Sequence, residues 1–168
     1  MDSVAGSYSH LQPNLAVRLE EADYRALAGF RFQIRRFLHF SEAQAHSEGL
    51  EPQQHQFLLA VRAFSGANGP TIKELAEQLL IRHHSAVGLA DRLTDRGMVQ
   101  RQRGGNDRRQ VQIRLTPLGE SALMRLSNAH LDELLHSGPR LIEALTTLLR
   151  QSRQDLEDNV SKTQDSNP

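Results

Sequence analysis

Eight arginines fall between positions 82 and 114: Arg82, Arg92, Arg96, Arg101, Arg103, Arg108, Arg109 and Arg114. Only three acids, Asp91, Asp95 and Asp107, share that stretch, so it carries +5 on a chain of net charge zero. A basic stripe hidden in a neutral chain is the footprint of a phosphate-binding surface. A solvated arginine-rich face accounts for the charge equally well. The absence of lysine tilts the balance toward recognition, because arginine alone offers a planar fork to phosphates and guanine edges.

Other chemistries find less support. The chain has no cysteine, which removes disulfides, thiolate zinc sites and thiol redox sensing. Eight histidines raise a metal-responsive alternative. A structural site needs about four converging ligands, yet no HxxxH or HxH pair appears, and the adjacent His83 and His84 point different ways. No metal or other cofactor is expected. No glycine-rich phosphate loop or paired carboxylates appear, and Ser85 lacks partners at any triad spacing, so the chain does not read as an enzyme. Apolar runs are too short to span a membrane and the N-terminus lacks a secretory pattern, which makes the cytoplasm the expected compartment.

The stripe must be held by something, and the surrounding pattern is mainly helical with one small β-hairpin. Residues 1–14 read as a flexible arm. From Leu15 to His46, Leu27, Phe30, Ile34, Phe37 and Leu38 recur at helical spacing. One helix of roughly 25–30 residues, about 40 Å long, cannot bury such a stripe on a small domain by itself, and suggests an association surface. Pro52 opens a second helix, with Phe57, Leu58, Val61 and Phe64 inward. Thr71 and Glu74 form a capping box ahead of Ile72, Leu75, Ala76 and Leu79, in a short helix ending near Leu80. A further helix begins near His83, buries Ala86, Leu89, Ala90 and Leu93, and stops at Gly97.

The period then changes from 3.6 to 2. Met98–Arg103 and Gln110–Leu115 read as strands around a 104–107 turn, with Val111, Ile113 and Leu115 on one side. Thr116 and Pro117 open another helix to about His136. Ser137, Gly138 and Pro139 break it, a last helix runs to about Asn159, and residues 160–168 read as a disordered tail.

A capped short helix, a tight turn and a second helix make a helix-turn-helix, which presents its second helix to a DNA major groove. Arg82, His83, His84, Ser85, Val87, Gly88 and Arg92 are the candidate contacts there. Gly88 costs about 1 kcal/mol relative to alanine inside a helix, and could permit close approach of a backbone. The hairpin supplies a wing whose Arg101, Arg103, Asn106, Asp107, Arg108 and Arg109 suit a narrow minor groove. Asp107 fits best as an acid that orients a neighbouring guanidinium.

Three runs, TIKELAEQL, HHSAVGLADRLTDRGMVQR and NDRRQVQIRLTPLGE, together resemble the MarR family of winged-helix regulators. The marks fall on Asp91-Arg92-Leu93, Gly97-Met98-Val99, Asp107-Arg108-Arg109 and Leu115-Thr116-Pro117-Leu118-Gly119, across about Pro70 to Glu120. The resemblance implies a winged helix-turn-helix, residues 52–115, flanked by dimerisation helices at 15–50 and 117–159, all in one domain. It implies a homodimer on double-stranded, palindromic DNA, acting as a repressor relieved by a small aromatic or phenolic effector whose pocket residues stay unassigned. It also shows a departure, since family members commonly carry small hydroxyl residues and a basic one where His83 to Gly88 stand. A winged helix that binds protein in place of DNA would share the fold.

Overall fold

The computed structural model describes residues 19–64, 69–103 and 111–164. In chain order the elements are α1 (Glu21–Ser47), α2 (Pro52–Ala63), α3 (Ile72–Gln78), α4 (His83–Asp95), β1 (Val99–Arg103), β2 (Val111–Leu115) and α5 (Pro117–Gln164). Among the described residues no helix is long and apolar enough to cross a membrane.

The chain divides into two compact units, residues 35–138 and residues 1–34 with 139–168. The first owns the core. Phe57, Leu58, Leu75, Leu89, Leu93, Val99, Ile113 and Leu126 are each almost completely buried. They come from α2, α3, α4, both strands and α5, so the hairpin is part of the core at its base. β1 and β2 pair antiparallel with Arg101 opposite Ile113. Thr71 bridges to Gln112, and the Ile113 amide donates to the Pro70 carbonyl at 2.9 Å, so the start of α3 is stitched to the hairpin. The expected alternation of β2 holds only at its base. Ile113 is buried and Leu115 half-buried, but Val111 is exposed because it lies farther out along the hairpin, beyond the core.

The local signals act as expected. The Thr71 amide donates to Glu74 Oε2 at 2.7 Å and the Glu74 amide to Thr71 Oγ1 at 3.3 Å, closing the capping box of α3. Thr116 caps α5 through the Gly119 amide at 3.2 Å and also donates its hydroxyl to the Gly97 carbonyl at 2.6 Å. A Cβ on Gly119 would sit 2.1 Å from the Met98 carbonyl oxygen, so this turn of α5 can close on the start of the hairpin only with glycine.

Two expectations are corrected. The break at Ser137, Gly138 and Pro139 does not occur, because α5 runs through it as one helix. Proline removes the amide that would pair with the carbonyl four residues back, but leucine-rich helical sequence continues on both sides and carries the helix through. The triplet instead marks the limit of the core-bearing unit at Gly138. The helix also continues to Gln164, past the expected end near Asn159, so residues 160–164 are helical and not part of a tail.

Candidate nucleic-acid interface

α4 buries Ala86, Leu89, Ala90 and Leu93 in the core. Its opposite face is open. Arg82, His83, His84, Asp91 and Arg92 are exposed, while Ser85, Val87 and Gly88 are half-buried at the margin. Arg82 is the N-cap residue, so the arginine and both histidines gather at the positive end of the helix dipole, where anions are favoured. Glycine at 88 is not required by the protein's own packing, since a Cβ there would meet only the Arg92 guanidinium, at 3.5 Å.

Of the wing candidates, Arg101 and the backbone of Arg103 lie within the described residues. Asn106, Asp107, Arg108 and Arg109 lie outside them, and with them the orienting role expected of Asp107. An orienting acid does appear elsewhere. Arg101 Nη2 meets Asp91 Oδ1 at 2.5 Å, which ties β1 to the exposed face of α4. Sequence reading placed Asp91 on that face but had no means to pair it with a residue ten positions on. That pairing depends on how the strand returns beside the helix.

The basic stripe is also subdivided. Arg96, at the C-cap of α4, donates from Nη1 to the Gly49 carbonyl at 2.7 Å and to Gln54 Oε1 at 3.3 Å. Arg101 is committed to Asp91. Arg82 and Arg92 remain the exposed cations of the helix itself.

Among the described residues no three His, Asp or Glu side chains converge on a common point that could hold a metal ion. His55 and His130 do meet, with ring centroids 4.8 Å apart. His130 Nδ1 lies 2.6 Å from the Leu126 carbonyl, which can only accept, so that nitrogen carries the proton. Nε2 then accepts from Ser41 Oγ at 2.8 Å. The rings of Phe37 and Phe40 meet His130 edge-on. His55 is buried, its Nδ1 has no hydrogen-bond partner, and its pKa is lowered to about 4, first by burial and then by His130. The pair joins α1, α2 and α5 as packing, away from the exposed face of α4.

In the second unit, the α1 and α5 segments flank a groove of about 610 Å³ lined by Ala22, Arg25, Ala26, Phe32, Arg140 and Ala144, among others. Tyr24, Phe32, Ile142 and Leu149 are each more than half exposed there.

Residues 48–110 match the model of the MarR family. A Thauera aromatica protein, named as a transcriptional regulatory protein for the hcr operon, is 28% identical over 134 residues, covering 76% of this chain and 78% of that one. Among solved structures, AbsC of Streptomyces coelicolor, a MarR family transcriptional regulator, superposes with a TM-score of 0.64 at 18% identity, over 86% of this chain and 97% of that one. An S. aureus MepR single-substitution variant bound to an oligodeoxyribonucleotide superposes at 0.57 with 17% identity, over 85% of this chain and 96% of that one. The winged-helix fold expected from the sequence is therefore present.

Proposed function

We propose that this chain, a MarR-family winged-helix regulator by its matched segment and its fold, reads double-stranded DNA as a homodimer. One observation carries the reading. The apolar stripe of α4 is sunk in the core while Arg82, His83, His84 and Arg92 stay uncovered beside a hairpin fastened to the same helix through Asp91 and Arg101. α4 enters a major groove N-terminus first, and Arg103, Arg108 and Arg109 bring the wing to the adjacent minor groove while Arg101 braces it through Asp91. Ser85, Val87 and Gly88 border the bases, and Asn106 and Asp107 are further DNA-contact candidates beside them.

The exposed Tyr24, Phe32, Ile142 and Leu149 support pairing with a second copy, since so much apolar surface is rarely left to water in a monomer. Two copies would set their α4 helices in successive major grooves about 34 Å apart, on a palindromic operator. A small aromatic or phenolic effector relieves repression by favouring a different spacing of those helices.

Selection of bound sequences from a random duplex pool tests this directly. The expected product is an inverted repeat with half-sites one helical turn apart. A pool that stays unenriched sinks the DNA-reading claim and leaves a protein-binding winged helix. Enrichment of single half-sites, with a monomer in sedimentation, sinks only the dimer.

A further inference from the structure

We propose that Arg96 is a positioning residue for the recognition helix, one that fixes the set of α4 from its C-terminal end without touching DNA. The inference rests on the DNA-reading function proposed above.

Charge alone would count Arg96 among the DNA contacts, because it belongs to the basic stripe. Its side chain is spent elsewhere. It reaches across to the turn between α1 and α2, 47 positions away in sequence, and donates to the Gly49 carbonyl at 2.7 Å. The same nitrogen lies 3.3 Å from Gln54 Oε1. Gln54 is itself fixed, being buried and accepting the Glu51 amide at 3.0 Å in the capping box of α2. A charged donor shared between a backbone carbonyl and a held amide is a directional tie.

The turn receiving that tie is fastened from a second side. Arg125 of α5 grips Glu48 with two nitrogens, Nε at 2.9 and 3.1 Å and Nη2 at 2.7 Å. This bidentate bond holds the Glu48 carboxyl below its usual pKa. The turn thus connects the N-terminal half of α5 to the far end of the recognition helix.

The packing of α4 explains why such a tie matters. Two of its four buried residues are alanines, Ala86 and Ala90, alternating with Leu89 and Leu93. A smooth stripe resists roll and slip less than interlocking large side chains do. The end that enters the groove has to stay uncovered, so orientation is fixed where the helix leaves the DNA.

The test uses the duplex selected by the wild-type protein and a scrambled duplex of equal length, with affinities measured over a range of salt. Arg96→Ala is expected to weaken binding to the selected duplex at least about tenfold and binding to the scrambled duplex less than about threefold. The slope of log affinity against log salt is expected to stay at the wild-type value, because no phosphate contact is lost. Arg96→Lys, which keeps the charge and one donor, is expected to recover part of the loss and serves as the working variant if Arg96→Ala does not fold. A slope that falls by about one per subunit makes Arg96 a phosphate contact and overturns the proposal. Unchanged affinity for the selected duplex also overturns it, as does a parallel loss on both duplexes that tracks a lowered melting temperature. A wild-type protein that selects no sequence fails at the earlier step, before any variant is compared.

Discussion

Helices α1 and α5 run through both compact units, and they meet different fates there. In residues 35–138 they pack around a core whose centre is Phe57, Leu75, Leu93 and Ile113. In the other unit the same two helices leave Tyr24, Phe32, Ile142 and Leu149 exposed beside an open groove. The apolar spacing along each helix is alike in the two places. Periodicity therefore says that a face is to be covered, but not by what. The contrast lies in what the core covers, since α5 also leaves Leu118, Met124, Leu131 and Leu135 more than half exposed in the core-bearing unit, whereas the other unit has no described core at all beneath its apolar side chains.

A pair of phenylalanines gives the largest test of that contrast. Phe57 is fully buried and Phe32 is 55% exposed. Phe57→Ala is expected to destabilise the fold by about 3–5 kcal/mol, the usual cost of emptying a phenylalanine site in a core. Phe32→Ala is expected to shift stability by less than about 0.5 kcal/mol under conditions where the protein is monomeric, while weakening self-association. Urea unfolding at low protein concentration measures the first effect, and sedimentation equilibrium the second. Equal costs for the two variants would mean that Phe32 is covered within the folded chain, and the contrast would fail.

The next effect is confined to the core-bearing unit, which holds every described histidine. The pKa of His55 falls from 6.5 to about 4 on folding, through burial and the charge of His130. Above pH 6.5 the ring is neutral in both folded and unfolded chains, so stability is fully present. As pH falls from 6.5 toward 4, the unfolded chain takes up a proton that the folded chain refuses, and stability is lost. At about 1.4 kcal/mol per unit, discounted for partial solvent screening, the loss should be about 2 kcal/mol across that window. His55→Leu should flatten the stability profile there. An unchanged profile would assign the acid sensitivity to another group.

The helix-turn-helix was legible in the sequence because its signals are local. Thr71 and Glu74 sit three apart, Ile72 to Leu79 recur at helical spacing, and Gly97 stops α4. The match of residues 48–110 to the MarR family bears out the resemblance drawn from those marks. What stayed hidden depends on chain return. Asp91 meets Arg101 only because β1 comes back beside α4, and Arg96 meets Gly49 only because the turn between α1 and α2 folds against α4. Ser137-Gly138-Pro139 misled for the opposite reason. Its local preference to break was real, but helical sequence on both sides overrode it, and the triplet survives as the limit of a compact unit.

The smallest expected effect concerns one exposed leucine of the core-bearing unit. Three helices end in the same hydrogen-bonded motif. The Leu50 amide reaches the Ala45 carbonyl at 2.9 Å after α1, the Ile81 amide reaches Ala76 at 3.0 Å after α3, and the Met98 amide reaches Leu93 at 2.9 Å after α4. This closure places the preceding residue in the left-handed region, where glycine is at ease. Gly49 and Gly97 fill two of those positions, each at φ +68°, but Leu80 fills the third at φ 54°. A leucine there carries strain of about 1–2 kcal/mol. Its side chain is 82% exposed, so it recovers little by burial. Leu80→Gly should relieve that strain, and the greater freedom of glycine in the unfolded chain should take back about 0.4–1 kcal/mol. A net gain of up to about 1 kcal/mol corresponds to a melting temperature higher by about 2–4 °C. Thermal unfolding measures the shift directly. A lower melting temperature would mean that the Leu80 side chain holds the turn into α4 in spite of its exposure.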